Sequence, residues 1–399
     1  MSPQGTKEIK KMAIRIIILF GIISLLGDII YEGARSVNGP YLKLLGVNAT
    51  ILGLIVGLGE FIGYIIRIVS GYFADKTRSY WFFTILGYSL LISIPLLALA
   101  GYWQVAALLI VIERIGKGLR SPARDTLVSY ATKKVGTGFG FGLSEFLDQI
   151  GALLGPMIFV ILLSSNTEKT IIDYQKAYSV FWIPFLILLA VLLITFFKFR
   201  MPVEFEEKEN NSIENKKIFW LYSIFIFFTT FGFINFAIVG YHLKANNIVS
   251  DAQIPFLYAF AMIVDAFCGL LIGKIYDKMK IKNEKAGLLV LIILPVFSIL
   301  AVLLVFLHNL LAIYVAMFIW GFVLGSHETI MKAVVADLTS VRKRGMAYGI
   351  FNAIYGFAIF LGSFISGYLY DFSVNYMIAA LVSAEIISIV FFIILKKEI

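Results

Sequence analysis

Twelve apolar runs of helix length follow one another along this chain and leave little sequence between them. We number them as predicted spans 1 to 12, at residues 13–37, 51–74, 80–101, 104–131, 138–163, 177–197, 218–243, 254–276, 285–307, 310–336, 342–371 and 374–395. A helix of about 20 apolar residues is long enough to cross the roughly 30 Å hydrocarbon core of a bilayer. The pattern therefore predicts an all-α polytopic membrane protein with twelve transmembrane helices.

The composition agrees with a chain whose main solvent is lipid. Of the 399 residues, 60% are hydrophobic and 15% are charged, which leaves no room for a large soluble domain. The net charge of +9 does not indicate a nucleic-acid partner, because the basic residues lie in short clusters between apolar runs. The single cysteine, Cys268, lies inside a run and cannot form an intrachain disulfide. We expect no cofactor and no metal site.

The distribution of basic residues predicts the orientation of the chain in the membrane. The two tails and the loops after the even-numbered spans, together with the first three residues of the spans that begin there, carry 22 lysines and arginines, whereas the other loops carry 4. Because basic loops stay in the cytoplasm, both termini should be cytoplasmic, which requires an even number of spans. We therefore expect a multi-pass protein of the cell membrane.

The two halves of the chain look duplicated. The segment 71–76 (GYFADK) after span 2 matches the segment 273–278 (GKIYDK) after span 8, and glycines recur at matching positions of spans 5 and 11. Repeats of this spacing are typical of transporters built from two related helical bundles. The predicted organisation is an N-terminal six-helix bundle at 1–197, a polar cytoplasmic linker at 198–217 and a C-terminal six-helix bundle at 218–399.

Three motifs lie where one transporter family has them. Residues 71–78 (GYFADKTR) resemble a signature loop of the major facilitator superfamily, residues 114–118 (RIGKG) resemble its arginine-and-glycine motif, and residues 151–156 (GALLGP) resemble a motif of its exporters. The resemblance covers essentially the whole chain. The gating and motif residues that it implies are Gly71, Asp75, Lys76, Arg78, Gly118, Arg124, Gly151, Gly155, Pro156 and, in the second half, Asp277.

The resemblance also implies a fold and a mechanism. The fold would be two pseudo-symmetric six-helix bundles that rock about a central site and move a small molecule by alternating access. The motif at 114–118 is associated with proton transfer in the family, and the motif at 151–156 is enriched in drug/proton antiporters. We expect a monomer in the lipid bilayer, energised by the proton gradient.

Charged residues inside span 1 are candidates for substrate contact or proton coupling. Asp28, Glu32 and Arg35 follow one another at i, i+4 and i+7, so all three lie on one helical face. A charge near the bilayer centre is costly and usually marks a functional site. We predict that this face lines a wet cavity; a structural ion pair between Glu32 and Arg35 is the alternative.

Span 4 carries a basic stripe. Arg114 and Lys117 lie deepest and are candidates for substrate or coupling contacts, and they share a helical sector with Arg124. Arg120 falls outside that sector. For Arg120 and Arg124, which lie nearer the cytoplasm, a gating ion pair or a side chain extending to the membrane surface is an equal alternative.

Three further ionisable residues are candidates for proton coupling. Glu145 and Asp148 share one face of span 5, and permanent ion pairs with span 4 are the alternative role for them. His327 in span 10 is a candidate proton carrier, with a packed structural histidine as the alternative. Leaving aside the residues at the span ends, the spans contain ten acidic and eight basic residues, which leave the sign of the substrate charge open.

These observations predict a secondary transporter that exports a small solute by proton antiport. Proton symport or facilitated uptake of a small organic anion is the main alternative, and a non-transporting membrane sensor is a remote one. An enzyme is not expected. His327-Glu328 begins like a zinc-protease helix, but Met331 occupies the position where that motif needs a second histidine.

Overall fold

The computed structural model describes residues 3–135, 137–164, 168–199, 216–282, 286–338 and 344–398, which are almost entirely helical. The helices are α1 Pro3–Leu44, α2 Ala49–Thr77, α3 Tyr80–Ser89, α4 Ser93–Leu96, α5 Trp103–Val135, α6 Thr137–Leu162, α7 Ile171–Ser179, α8 Trp182–Lys198, α9 Lys216–Gly232, α10 Phe236–Ala245, α11 Gln253–Lys282, α12 Ile293–Val305, α13 Leu310–Ser326, α14 Lys332–Leu338, α15 Arg344–Phe372 and α16 Val374–Glu398. Most of the linker predicted at 198–217 lies outside the described residues.

The helices confirm the predicted class of membrane protein. Within the described residues, eleven stretches are long and apolar enough to cross a bilayer. The remaining predicted span, span 4 at 104–131, corresponds to α5, which has 33 residues but carries too many charges to be recognised by its apolar character. The fold is therefore a polytopic helical one with eleven to twelve membrane-spanning helices.

Predicted span 6 begins earlier than residue 177. Its first helix, α7, starts at Ile171 because Thr170 and Asp173 form a capping box, in which the Asp173 carboxylate accepts bonds from the Thr170 amide (2.9 Å) and hydroxyl (2.8 Å). Such a box satisfies backbone groups that the first turn of a helix leaves free. In the sequence, the polar residues of this cap have the composition of a loop. For this reason the start of span 6 was predicted at residue 177 and not at Ile171.

Two predicted spans are interrupted in the middle. Span 7 breaks after Gly232 and resumes at Phe236, where the Asn235 side chain caps α10 by accepting a 2.9 Å bond from the amide of Ala237. Span 10 passes from α13 to α14 through a π-helical turn at His327–Met331. Single π turns inside helices are often found at functional sites.

The described residues group into two compact units, and these differ from the predicted halves in one segment. Unit 1 comprises Met1–Val37 and Ile62–Glu206, and unit 2 comprises Asn38–Phe61 and Glu207–Ile399. The segment Asn38–Phe61 groups with the second half because its glycines allow close backbone approach there. Gly39 lies against the carbonyl of Ala237, and Gly53 lies against the carbonyl of Ser363.

Glycines also fix α5 in unit 1. A Cβ at Gly118 would lie 2.6 Å from the carbonyl oxygen of Gly63 in α2, and a Cβ at Gly87 in α3 would lie 2.6 Å from the carbonyl oxygen of Gly116. These distances are shorter than any ordinary contact, so the helices meet backbone to backbone. Small residues bring transmembrane helices together in this way. As a result, the charged part of α5 has a fixed position against its neighbours.

Candidate functional site

A contact between Lys117 and Tyr31 joins the basic stripe of α5 to the charged face of α1. The Lys117 ammonium donates a 2.7 Å hydrogen bond to the Tyr31 hydroxyl and lies 4.0 Å from the centre of the ring. Tyr31 is buried. The structure therefore brings together two groups of charges that the sequence placed on separate helices, with a tyrosine between them.

Two arginines of α5 approach the same ring. The guanidinium carbons of Arg114 and Arg120 lie 5.8 Å and 5.7 Å from the centre of Tyr31, within the range of cation–π attraction. We call Tyr31, Arg114, Lys117 and Arg120 the Tyr31 cage. Three cations thus surround one phenol in the interior of unit 1.

Arg120 is buried in unit 1. Sequence analysis placed it outside the shared sector and nearer the cytoplasm, with an ion pair as one alternative; only 4% of it is exposed, and it lies 3.9 Å from Glu113. Its guanidinium carbon also lies 5.1 Å from the ring centre of Tyr88, which belongs to α3. The periodicity of one isolated helix cannot predict a contact with a neighbouring helix. The guanidinium of Arg120 lies between the rings of Tyr31 in α1 and Tyr88 in α3.

One carboxylate of α5 lies among the cage arginines. Glu113, which is 2% exposed, has Oε2 3.2 Å from Nε of Arg114 and Oε1 3.9 Å from Nη2 of Arg120. Nη1 of Arg120 is buried and has no hydrogen-bond partner among the described residues. Buried polar atoms usually have a partner, so this donor is an exception that needs an explanation.

The predicted pair of Glu32 and Arg35 adjoins the cage. Nη1 of Arg35 lies 3.7 Å from Oε1 of Glu32, and the Tyr31 and Glu32 side chains are hydrogen-bonded to each other. The Tyr31 hydroxyl therefore accepts a bond from Lys117 and donates one to Glu32. The ion pair that we named as the alternative is present, and it forms part of the same network.

A second cluster centres on Arg124. Its Nε and Nη2 donate to Oδ1 of Asp125 at 3.0 Å and 2.8 Å, and its Nη1 donates to the Ser24 hydroxyl at 2.8 Å. The same Nη1 lies 3.5 Å from Oδ2 of Asp148. We call Ser24, Arg124, Asp125 and Asp148 the Arg124 cluster. It joins α1, α5 and α6 through a single guanidinium.

Asp28 lies between the two clusters. Its Cβ lies 2.8 Å from where a Cβ of Gly151 would be, so it packs directly against α6. The charged side chains that act on it include Lys117 of the cage and both Asp148 and Arg124 of the second cluster. A change in the charge of Asp28 therefore alters the electrostatic energy of both the Tyr31 cage and the Arg124 cluster.

Glu145 and Asp148 differ in exposure. Glu145 is exposed and accepts a 3.4 Å bond from the Gln149 amide, whereas Asp148 adjoins Arg124; the coupling role predicted for Glu145 stays a prediction. Three residues along a helix correspond to a rotation of about 60° from the starting direction. That rotation is enough to place Asp148 inside and Glu145 outside.

The glycines of the second and third motifs act as packing surfaces. Gly118 adjoins Gly63 of α2, and Gly151 and Gly155 adjoin the backbone of α1 at Leu25 and Ile29. Pro156 follows Gly155 within α6. These residues hold α1, α2, α5 and α6 close together, and the charged clusters lie at the resulting helix junctions.

The first motif lies at the end of α2. Gly71 adjoins Pro122, and Asp75 accepts a 3.0 Å hydrogen bond from the Tyr80 hydroxyl. Lys76 lies 5.7 Å from the ring centre of Tyr72, and Arg78 ends the helix with a positive φ of 55°. Asp277, the counterpart of Asp75, is exposed on α11. The latch role of this motif stays a prediction.

His327 lies in unit 2, in the π-helical turn. It is 2% exposed, and its ring centre lies 5.1 Å from that of Phe233 and 6.2 Å from that of Tyr355. Neither ring nitrogen has a hydrogen-bond partner among the described residues. The coupling role that we predicted for His327 stays a prediction.

Sequence reasoning missed Tyr31 as the centre of the site, and it missed Ser24, Tyr88 and Glu113 as its partners. The available signal was a tyrosine at i+3 from Asp28 within a charged face. As for metals, no group of three or more histidine, cysteine, aspartate or glutamate side chains in the described part of the chain could hold an ion.

Comparison with known proteins gives consistent results along the whole chain. The sequence profile of the Major Facilitator Superfamily matches residues 16–331 and 288–398. An uncharacterized protein of Mycobacterium tuberculosis is 36% identical over 385 residues, which cover 94% of this chain and 91% of that protein. An uncharacterized MFS-type transporter of Methanocaldococcus jannaschii is 27% identical over 368 residues, covering 89% of this chain and 88% of that one.

A solved structure shares the fold. The crystal structure of a mutant of the nucleoside transporter NupG superimposes with a TM-score of 0.74 and covers 95% of this chain and 98% of its own. Its sequence identity is 15%, so the likeness is one of fold alone.

Proposed function

The chain belongs to the major facilitator superfamily, and from this membership we propose that it is a proton-coupled secondary transporter of a small solute. Members of this family are multi-pass membrane proteins that transport small molecules and are not enzymes, and membership therefore assigns this chain to that class. Proton coupling is supported by one observation in particular. The guanidinium of Arg124 is shared between Asp148, Asp125 and Ser24, next to Asp28.

This arrangement has the properties of a protonation switch. Asp148 is mostly buried, and its Oδ1 has no hydrogen-bond partner among the described residues, whereas Arg124 has other partners in Asp125 and Ser24. A buried carboxylate that loses its cation is costly as an ion and takes up a proton instead. Movement of Arg124 away from Asp148 would therefore be accompanied by proton uptake.

The sign of the substrate charge decides the mode of coupling. A cationic substrate would compete with the proton for Asp28 and Asp148, which gives antiport and export; the resemblance of residues 151–156 to exporters favours this mode. An anionic substrate would compete with Asp148 for Arg124, so the proton would travel with it as symport. The three cations of the Tyr31 cage favour this second mode.

The remaining features of the proposal concern the setting. We place both termini in the cytoplasm, since basic residues concentrate in the tails and alternate loops. Alternating access, a monomeric state and residence in the cell membrane belong to the same proposal.

Proton flux in proteoliposomes tests the coupling. Liposomes with an internal pH dye are exposed to a panel of small organic anions and lipophilic cations, and we expect proton movement that depends on one of them. Asp148→Asn should abolish this movement while substrate exchange continues, because exchange does not require net proton transfer. Glu168→Gln is the matched control, since that carboxylate is exposed, and it should behave as the unmodified protein.

Two outcomes would contradict the proposal. Saturable uptake of a compound without any proton flux would make the protein a facilitated transporter, and the carboxylates would then be structural. Binding without transport of any compound in the panel would favour a membrane sensor.

A further inference from the structure

A carboxyl group lies in the interior of unit 2 without a basic partner. Glu385 is near the middle of α16 and is 1% exposed. In the described part of the chain, the polar side chains that act on it are those of Thr229 and Ser298, and both are uncharged. A glutamate at this depth normally has a cation beside it. Glu385 is therefore an exception that needs a physical explanation.

The helices around Glu385 carry their charges at their ends. Thr229 belongs to α9 and Ser298 to α12, and α12 contains no charged residue. The charged residues of α9, of α16 and of α15, which also contacts α16, are Lys216, Lys217, Arg344, Asp371, Lys396, Lys397 and Glu398. At 1.5 Å per residue, even Lys396 is about 16 Å along α16 from Glu385. None of these groups neutralises the buried carboxyl.

The backbone beside Glu385 also disfavours a negative charge. Gly232 is the last residue of α9, and a Cβ at this glycine would lie 2.7 Å from Oε1 of Glu385. The C-terminal end of a helix carries a partial negative charge. A carboxylate at this point would lose its hydration, gain no cation and face a helix end of like sign. A carboxyl group in such a place is costly as an ion and is stable in its neutral form.

The two hydroxyl groups next to Glu385 suit a neutral acid. Thr229 Oγ1 donates a 3.0 Å hydrogen bond to Oε2. The Ser298 hydroxyl adjoins the same carboxyl with a geometry that falls short of a hydrogen bond, so Ser298 Oγ and Glu385 Oε1 are both buried without a bonded partner among the described residues. An ionised carboxylate only accepts, whereas a protonated one also donates. A proton on Oε1 would supply a donor for Ser298 Oγ.

We infer that Glu385 is a proton-binding site of unit 2, in which Oε1 holds the proton and donates it to Ser298 while Oε2 accepts from Thr229. The neutral acid joins α16 to α12 and to the end of α9, where predicted span 7 is interrupted. Asp148 has Arg124 beside it, whereas Glu385 has no basic side chain to displace its proton. The proton is thus a structural part of unit 2. This inference does not depend on the proposed transport function.

Infrared spectroscopy of the purified full-length protein detects this proton directly. A protonated carboxylic acid has a C=O stretching band above the amide I band, and an ionised carboxylate does not. We expect this band at neutral pH in the unmodified protein and a loss of part of it in Glu385→Gln. Asp251→Asn is the matched control, because Asp251 of the same unit pairs with Lys244 at 2.8 Å and should be ionised. Equal bands in the unmodified protein and in Glu385→Gln would overturn the inference.

Thermal stability gives an independent comparison of the same two variants. Glutamine has the shape of a neutral glutamic acid and also carries a donor, so Glu385→Gln should change Tm by no more than about 2 °C. Asp251→Asn removes the carboxylate that pairs with Lys244 and should lower Tm by more than that. A loss of Tm in Glu385→Gln as large as that in Asp251→Asn would show that Glu385 acts as an ion.

Ser298→Ala provides a test that does not require Glu385→Gln to fold. The variant keeps the acid and removes the group that accepts its hydrogen bond. The C=O band of Glu385 should therefore move to higher frequency, because weaker hydrogen bonding of the acid strengthens its C=O bond. A spectrum identical to that of the unmodified protein would contradict the assignment of Ser298 as acceptor.

A sodium ion is the other small cation that could neutralise Glu385, since carboxylate and hydroxyl oxygens also suit hard cations. The Tm of the unmodified protein is therefore compared in sodium chloride and in choline chloride at equal concentration. We expect the same Tm in both salts. A higher Tm in sodium chloride that disappears in Glu385→Gln would overturn the assignment of a proton, because an ion that binds only the folded state stabilises it.

Discussion

The Lys117 ammonium is bonded to the Tyr31 hydroxyl at 2.7 Å and at the same time lies 4.0 Å from the centre of its ring. The tyrosine therefore holds the lysine in two ways, through its oxygen and through its π face. A contact of this kind ties α1 to α5 at the point where charge is most concentrated. Substitutions of Tyr31 can remove the hydrogen bond alone or the hydrogen bond together with the cation–π contact.

We expect Tyr31→Phe to be mildly destabilising and Tyr31→Ala to be much more so. Phenylalanine loses the bonds to Lys117 and Glu32, about 1–2 kcal/mol in total, but keeps a ring face for the cations. Alanine loses the ring as well and leaves a cavity, at about 3–5 kcal/mol. Thermal denaturation in detergent measures the difference. Tyr102→Phe, at an exposed tyrosine, is the control, and equal losses in Tyr31→Phe and Tyr31→Ala would contradict the prediction.

Asp28→Asn is expected to strengthen anion binding. Asp28 interacts electrostatically with Lys117 of the Tyr31 cage, so removing its negative charge removes a competitor for this cation. An anionic substrate should then bind about tenfold more tightly, which corresponds to about 1.4 kcal/mol. Because coupling is reciprocal, an anion that prefers neutral Asp28 also favours its protonation, which is the requirement for symport.

Acetate serves as the probe anion for this effect of Asp28→Asn. The thermal stability of the purified protein is measured against increasing acetate at constant ionic strength, and the acetate concentration at half of the rise in Tm is compared between the variant and the unmodified protein. The exposed Glu168→Gln serves as the control for the loss of one carboxylate in unit 1. Weaker acetate binding in Asp28→Asn would instead favour antiport.

Gly118→Ala should destabilise the protein although it adds a single methyl group. The new Cβ would lie 2.6 Å from the carbonyl oxygen of Gly63, so α2 and α5 must separate, at a cost of about 1–3 kcal/mol. Gly101→Ala is a matched control, because nothing lies within 4 Å of the Cβ it would add. The yield of monodisperse protein and its Tm provide the measurement. Equal behaviour of the two variants would refute the packing role.

The predicted orientation can be tested with single cysteines in intact cells. In a Cys268→Ser background, we expect Ala245→Cys to react with a membrane-impermeant thiol reagent and Lys397→Cys to react only after the cells are permeabilised. Ala245 and Lys397 are both exposed, whereas Cys268 is buried, so the background change is expected to be mild. The opposite labelling pattern would place both termini outside.

The sequence predicted well those features that depend on one helix at a time. The apolar runs gave the spans, and the i, i+4 and i+7 spacing brought Asp28, Glu32 and Arg35 to one face of α1. Features that depend on a neighbouring helix could not be predicted. Arg120 is buried because Tyr88 of α3 and Tyr31 of α1 receive its guanidinium, and no periodicity within α5 contains this information.

The same limit applies to Glu145 and Tyr31. Spacing placed Glu145 on the face of Asp148, but only packing decides that Asp148 is the more buried of the two carboxylates. Tyr31 carries no charge, and sequence analysis did not select it because its role depends on a partner in another helix, Lys117.

The charge content of α5 has a consequence for how the protein is made. A helix with Glu113, Arg114, Lys117 and Arg120 near its middle is poorly inserted by the translocon on its own, since each such residue costs about 2.5–3.5 kcal/mol at the bilayer centre. Glu113 pairs with Arg114 and Arg120 within α5 itself, and the rings of Tyr31 in α1 and Tyr88 in α3, which are synthesised earlier, lie against the cations. We therefore expect α5 to insert stably only when α1 and α3, which precede it in the chain, are already in the membrane and can pack against it.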